Sequence, residues 1–226
     1  MPRLRPDGKV ESLVVAAWLP ELDFLRESLA NLPARIRRTV VLDTIGVGLV
    51  EAAIGASRLL ATLRPRAVIL VGTAGLYPGS TSTAGLTVGD AVLAEKIVLL
   101  PAPLPGRHTY LPEIMPSEQH TSARLTRALR QATALPAADV ANPIAITRSR
   151  KAATFAAKDS ACALENLEAF ALARAAASAK IPFAAVLGIA NQVGPTAHRE
   201  WKKNAVAAAE EACRAVLKYL VRQQES

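Results

Sequence analysis

Two corners of the chain carry side chains suited to chemistry. LENLEAFA presents Glu165, Asn166 and Glu168, and IPFAAVLGIANQVG presents Asn191. A carboxylate accepts hydrogen bonds and favours positive charge nearby, and an amide both donates and accepts. The stretch from Ala161 to Trp201 reads as strand, carboxylate-rich corner, helix, Ile-Pro turn, buried strand, polar corner, helix. In an open α/β sheet, ligands collect at the carboxyl ends of parallel strands. Polar groups at two such ends, separated by one crossover, can converge on one small molecule.

The elements that must position these groups suit one α/β domain over residues 1–226, with residues 1–11 a flexible lead. A chain of 226 residues with 51% hydrophobic and 20% charged residues can bury a sizeable core and is not disordered. Aromatic residues are only 4%, which suits closely packed, alanine-rich helices on a sheet. The net charge of +8 would permit nucleic-acid binding. The fold motifs and interleaved aromatics of such binders are missing, so the charge reads as a basic solvated surface, with steering of an anionic substrate as a modest further role. Cys162 and Cys213 lack metal-ligand spacing and read as small core residues. The polar start has no apolar signal region, and charges such as Arg174 and Lys180 interrupt the apolar runs. A soluble cytoplasmic protein is expected, with no nucleic-acid or membrane partner.

Taken in order, Ser12–Trp18 is a strand, Pro20 starts a helix and Glu21 lies in its first turn. Leu22, Leu25 and Leu29 form that helix's apolar stripe. Residues Arg38–Ile45 form a second strand, followed by a glycine corner and a helix. Gly46–Val47–Gly48 suggests a dinucleotide site, but Ala52 replaces the third glycine and no acid closes the next strand. A tight turn with close helix–sheet packing is preferred. Ala67–Gly75 is a buried strand whose end (Gly72, Thr73, Ala74, Gly75) lets a ligand approach the backbone. Asp90 reads as a turn residue. The proline-rich PAPLPGRHTYLPEIMP is a functional loop holding Arg107, His108 and Tyr110. A capped helix is predicted over Ser117–Leu135, a strand over Asn142–Arg148, a short corner over KAATFAAKDS and a last helix over His198–Gln224. His198, at that helix start, is given no chemistry.

The motifs carry a resemblance. LENLEAFA followed by IPFAAVLGIANQVG resembles the Glu-Met-Glu and Ile-Ser-Asp motifs of the nucleoside phosphorylase and nucleosidase superfamily. AAWLPELDFL resembles the nucleosidase opening Ala-Met-x-x-Glu, GTAG the Gly-Ser/Thr-x-Gly corner, and LTVGDAVLAEKIVLL the strand pair that follows it. The Glu-Asn-x-Glu form, with Asn for the late Asp, looks most like the futalosine hydrolases, relatives of the methylthioadenosine/S-adenosylhomocysteine nucleosidases. The resemblance spans Leu13 to Leu220. It implies an α/β fold of three layers, αβα, with a central twisted mixed sheet and helices on both faces. It also implies a homodimer or higher homo-oligomer, no cofactor and no metal.

The resemblance assigns roles. Glu21 activates the attacking water, held partly by Thr73. Glu168 accepts the ribose 2′ and 3′ hydroxyls, and Leu167 packs on the sugar. Asn166, Ala74 and Gly75 complete the substrate site, and Phe155 falls where an aromatic meets the purine. Hexameric phosphorylases carry a phosphate-binding Arg where this chain has Leu70, which favours water as acceptor. Asn191 cannot exchange a proton near pH 7, but its amide can donate to O6 while its carbonyl accepts N7–H, which fits a 6-oxopurine. The implied reaction is hydrolysis of a 6-oxopurine nucleoside such as futalosine, whose 5′ benzoate would need a cation from Arg107, His108 or Arg148. Alternatives are a purine nucleoside phosphorylase, a methylthioadenosine-type nucleosidase and a non-catalytic nucleoside-binding protein.

Overall fold

The computed structural model describes residues 10–79, 85–101 and 110–223. The apolar runs form strands β1 (Ser12–Ala16), β2 (Val40–Thr44), β3 (Ala67–Leu76), β4 (Ala91–Leu99), β5 (Glu118–His120), β6 (Ala137–Asn142), β7 (Leu164–Glu165) and β8 (Phe183–Gln192). The helices are α1 (Asp23–Ala30), α2 (Ala34–Arg37), α3 (Leu49–Leu63), α4 (Ala123–Thr133), α5 (Arg150–Ser160), α6 (Ala169–Ala179) and α7 (Ala197–Arg222). A 3₁₀ turn, Leu19–Leu22, joins β1 to α1, with Pro20 at its start where no N–H is needed.

The strands make one mixed sheet in the order β2-β1-β3-β7-β6-β4-β5, and β8 bridges β3 and β4. The pairs β3–β8, β8–β4, β4–β6, β6–β7 and β7–β3 therefore close a cycle. Both faces are covered, which is why the strands read as continuous apolar runs. Leu13 and Val15 of β1 face a core with α3 and α6, through Ala52, Ala56, Leu60, Ala169 and Leu172. Val14 and Ala16 face the other core, with α1, α4 and α7, through Leu25, Leu129, Ala212 and Val216. The result is the expected αβα layering. Each fully buried Leu or Val here contributes roughly 1.5–3 kcal/mol. Cys162 and Cys213 are buried and unpaired.

The middle of the chain departs from expectation. Helix α4 starts at Ala123, capped by Ser122, whose hydroxyl accepts Leu125 N–H; residues 118–120 pair with β4 as an edge strand. Strand β6 ends at Asn142 rather than beginning there, since Pro143 has no N–H to continue a ladder. The expected corner at 151–160 is helix α5, capped by Ser149 and burying Ala153, Ala156 and Ser160. Instead of a strand pair over 86–100, the chain makes a turn and then β4; Asp90 Oδ2 accepts from Thr87 N (2.7 Å) and Oγ1 (3.1 Å) in that turn. Arg107 and His108 lie outside the described residues. Among the described residues no helix is long and apolar enough to cross a membrane.

Candidate active site

A cavity of about 380 Å³ opens where the tips of β1, β3, β7 and β8 meet. Glu21, Thr73, Leu167, Glu168 and Asn191 line it together, with Ala74, Gly75 and Asn166. These groups come from four separated stretches, so the sheet alone brings them together.

Register explains how. Gly75 of β3 pairs with Glu165 of β7 on one side and Asn191 of β8 on the other. The ladder slips by one residue at Ala74/Gly75, so that Asn191 rather than Ala190 stands opposite Gly75. A one-residue slip moves a strand's side chains to the other face. This bulge thus sets Asn191 in the same row as Gly75 and Glu165. Gly75 must lack a side chain: a Cβ there would lie 2.7 Å from Val193 Cγ2 and 3.0 Å from Asn191 Nδ2.

Glu21 is 7% exposed. Its Oε2 accepts Ala17 N–H (3.2 Å) and its Oε1 accepts the Thr73 hydroxyl (3.4 Å). Burial first, and then the negative charge of Glu168, push its pKa up from 4.5 to about 7. Cys213 Sγ–H donates to Glu21 O at 3.1 Å and ties the turn to α7.

Glu168 is equally buried, and burial raises its pKa against the donors that lower it. The foremost donor is Gly48 N–H, 2.8 Å from Oε1. Gly48 sits at φ 83° at the start of α3, a conformation suited to glycine. The Gly-x-Gly corner therefore holds a carboxylate of the chain itself. One oxygen of Glu168 is engaged this way.

Asn166 lines the cavity but turns its polar atoms to the protein. Its Oδ1 accepts Glu168 N–H (2.9 Å) and Ala169 N–H (2.8 Å), and its Nδ2 donates to Thr73 O (3.0 Å). It caps α6 and sets the Leu167–Glu168 turn against β3. Asn142, fully buried, does the same from β6: Oδ1 accepts Phe170 N–H (2.8 Å) and Nδ2 donates to Leu167 O (3.0 Å). Sequence reasoning missed Asn142; its signal was an Asn–Pro step at the end of an apolar run.

Asn191 donates one amide N–H to Gln192 O at 3.0 Å, which uses one of its two N–H groups. Glu165 completes the row. Its Oε2 accepts Tyr77 O–H (2.8 Å) and its Oε1 accepts Thr147 N–H (3.0 Å). Burial, then the Glu165 charge, raise the Tyr77 pKa, so this phenol stays a donor.

Phe155 is not among the lining residues. It is half-buried on α5, because residues 150–160 form a helix rather than a corner. Ile146, 51% exposed, supplies apolar lining instead. Arg148 and Tyr110 are exposed and absent from the lining. Sequence reasoning also missed an aromatic wall of Trp18, His198 and Trp201. His198 stacks on Trp201 with centroids 6.2 Å apart and planes at 8°, and Trp18 lies 6.1 Å from Trp201. The available signal was the i, i+3 spacing of His198 and Trp201 just after the Asn191 corner.

The family model described as the phosphorylase superfamily matches residues 32–221. The chain belongs to the phosphorylase superfamily. No curated protein matches it. Solved structures similar to this superfamily member include the 5′-methylthioadenosine/S-adenosylhomocysteine nucleosidase of Neisseria meningitidis in complex with methylthio-immucillin-A. That likeness has a TM-score of 0.79 and 18% identity, and covers 95% of this chain and 99% of that one. Futalosine hydrolase of Helicobacter pylori is similar at TM-score 0.80 and 14% identity, with 95% and 98% covered. The methylthioadenosine/S-adenosylhomocysteine nucleosidase of the same organism, with butyl-thio-DADMe-Immucillin-A, matches at TM-score 0.80 and 14% identity, with 96% and 100% covered. At such identities these likenesses establish the fold.

Within this superfamily fold, the cavity offers a buried carboxylate whose pKa is raised to about 7, a second buried carboxylate, an amide and an aromatic wall. Among the described residues it has no Lys or Arg lining, and Leu70 is core-packed at 2% exposure. No three His, Cys, Asp or Glu side chains among the described residues could share a metal ion.

Proposed function

We propose that the chain hydrolyses the N-glycosidic bond of a 6-oxopurine nucleoside, most specifically futalosine, giving hypoxanthine and dehypoxanthinyl futalosine. The observation that carries the reading is that Glu21, Glu168 and Asn191 line one cavity. Cleaving such a bond passes through a ribosyl cation, so the site must stabilise the sugar, accept the base and deliver a nucleophile.

Glu168 accepts the 2′ and 3′ hydroxyls through its second oxygen, and its charge favours the cationic sugar. Leu167 packs on the ring. The C1′–N9 bond breaks with its electron pair going to the purine. Asn191 donates N–H to O6, where the charge of a departing 6-oxopurine gathers, and the base then takes a proton from solvent. Water adds to C1′ and gives its proton to Glu21, whose raised pKa suits a general base. The wall of Trp18, His198 and Trp201 accommodates a planar 5′ substituent by stacking.

The lack of Lys or Arg lining among the described residues supports water over phosphate, since a buried phosphate needs cationic or dense N–H partners. The same apolar wall would take a methylthio group, and Asn191 is what favours an oxo-purine over adenine. Exposed Val47, which lines the cavity, and exposed Val50 and Ile54 in the first half of α3 support association of the chain with copies of itself as a homodimer or higher homo-oligomer.

The test is incubation with futalosine, inosine, adenosine and methylthioadenosine, with and without phosphate, following free base. Release of hypoxanthine from futalosine without phosphate is expected. Release of adenine alone would replace this reading with the methylthioadenosine-type one.

A further inference from the structure

We propose that Glu165 is a specificity-determining residue that accepts the N1–H of the purine ring, so that the site reads both edges of the base. This rests on the purine reading above but goes beyond it, since none of the steps described there uses Glu165.

The row across β7, β3 and β8 places Glu165 and Asn191 on either side of Gly75. Adjacent strands lie about 4.8 Å apart, so the two residues flank a gap roughly 10 Å wide at the backbone. Gly75 and both flanking residues line the same cavity. A bicyclic base seated in this cavity with its five-membered edge at Asn191 turns its six-membered edge to Glu165.

Glu165 is built to meet a donor there. It is 7% exposed, and each carboxylate oxygen already accepts one protein donor, Tyr77 O–H at 2.8 Å and Thr147 N–H at 3.0 Å. Those two bonds fix the group while leaving further lone pairs, since a carboxylate has about four acceptor sites. A 6-oxopurine carries a hydrogen on N1 and satisfies it. A 6-aminopurine presents a lone pair at N1, and two acceptors would face each other in a buried site. Tyr77 and Thr147 reach Glu165 from β3's end and from the segment after β6, so the orientation is set by two separate elements.

Equilibrium binding of free bases by calorimetry tests this without requiring turnover. Wild-type protein is expected to bind hypoxanthine and its 3-deaza analogue comparably. It is expected to bind the 1-deaza analogue, in which C–H replaces N1–H as part of the ring, about 10- to 100-fold more weakly, the usual worth of a hydrogen bond to a charged group. Glu165→Gln, which can offer N–H to an N1 lone pair, is expected to move the hypoxanthine-to-adenine affinity ratio toward adenine by a similar factor. Tyr77→Phe keeps the carboxylate and should move that ratio far less. Equal binding of the 1-deaza and 3-deaza analogues by wild type would overturn the proposal, whatever the variants do. So would an equal loss of both bases in Glu165→Gln. Selective base binding by a protein that cleaves no nucleoside would sink the proposed function and leave this inference standing.

Discussion

Trp201 and Thr73, 128 positions apart, are joined by one hydrogen bond, from indole Nε1–H to Thr73 Oγ1 at 3.1 Å. A hydroxyl that accepts from an indole turns its own proton elsewhere, and Glu21 Oε1 is the acceptor 3.4 Å away. The first turn of α7 thereby fixes the direction of the Thr73 hydroxyl at the carboxylate proposed to activate water. Trp201→Phe keeps the stacking on His198 but frees that hydroxyl. A fall in kcat of about fivefold with little change in KM is expected, the worth of one neutral hydrogen bond. Steady-state kinetics on futalosine or inosine checks it.

Glu21→Gln separates catalysis from stability. Loss of a general base should cost about 10²- to 10⁴-fold in kcat. Stability should change the other way. The folded-state pKa of Glu21 is raised to about 7, above the unfolded 4.5, so its contribution is fully present below 4.5 and is lost as pH rises through 7. Glutamine carries no such penalty. The variant should gain about 3 kcal/mol at pH 8 and almost nothing at pH 4. Denaturant melts at the two pH values decide it, and equal gains at both would refute the burial argument.

The same group sets the pH profile. Glu21 must be ionised to take a proton from water, so kcat/KM should rise with pH and level off above about 7. The Glu168 charge is the second cause of that raised pKa. Glu168→Gln should therefore move the acidic limb of the residual activity to lower pH, besides depressing turnover. An unmoved limb would mean that the two carboxylates do not sense each other.

Gly48→Ala tests the glycine corner as a holder of Glu168. A Cβ at Gly48 has open space around it, so the cost comes from φ 83° alone, about 1–2 kcal/mol. If the backbone relaxes to relieve it, the N–H leaves Glu168 Oε1. Activity should drop about tenfold, the scale of a charge-assisted hydrogen bond. Thermal melting should fall by a few degrees at most, and unchanged kinetics would show the contact to be idle.

Asn191→Asp tests the base. A protonated carboxyl can donate its proton to N7, which suits adenine better than an amide does. The inosine-to-adenosine ratio of kcat/KM should fall, read from base release under identical conditions. A ratio unchanged by the substitution would remove Asn191 from base selection.

Much of the site was legible because its signals are local. Apolar runs ending in GTAG, in ENLE and in IAN mark strand ends, and Pro20–Glu21 marks a turn directly after β1. Helices α3 and α7 announce themselves by periodicity and glycine or polar starts. The stretch from 117 to 160 was not legible, for physical reasons. Strand β5 is three residues long and exists only because Lys96, Ile97 and Val98 pair with it. Strand β7 has two residues, held by β3 and β6 at once, and no propensity signal reports so short an element. Helix α5 is alanine-rich with a weak apolar stripe, so its capping Ser149 was the better clue. Phe155 followed that error, and Ile146 took its place in the lining. The roles of Asn142 and Asn166 as backbone ligands could not be read from sequence either, because their partners lie at Phe170, Leu167 and Thr73.

The central claim is that water, activated at Glu21, cleaves the bond between a sugar and a 6-oxopurine. The most direct measurement is product analysis of purified protein with futalosine in phosphate-free buffer, by chromatography of base and sugar. Hypoxanthine and dehypoxanthinyl futalosine in equal amounts, with release abolished in Glu21→Gln, is the predicted result. Base release that requires phosphate and yields a sugar 1-phosphate, or that persists undiminished in Glu21→Gln, would contradict it.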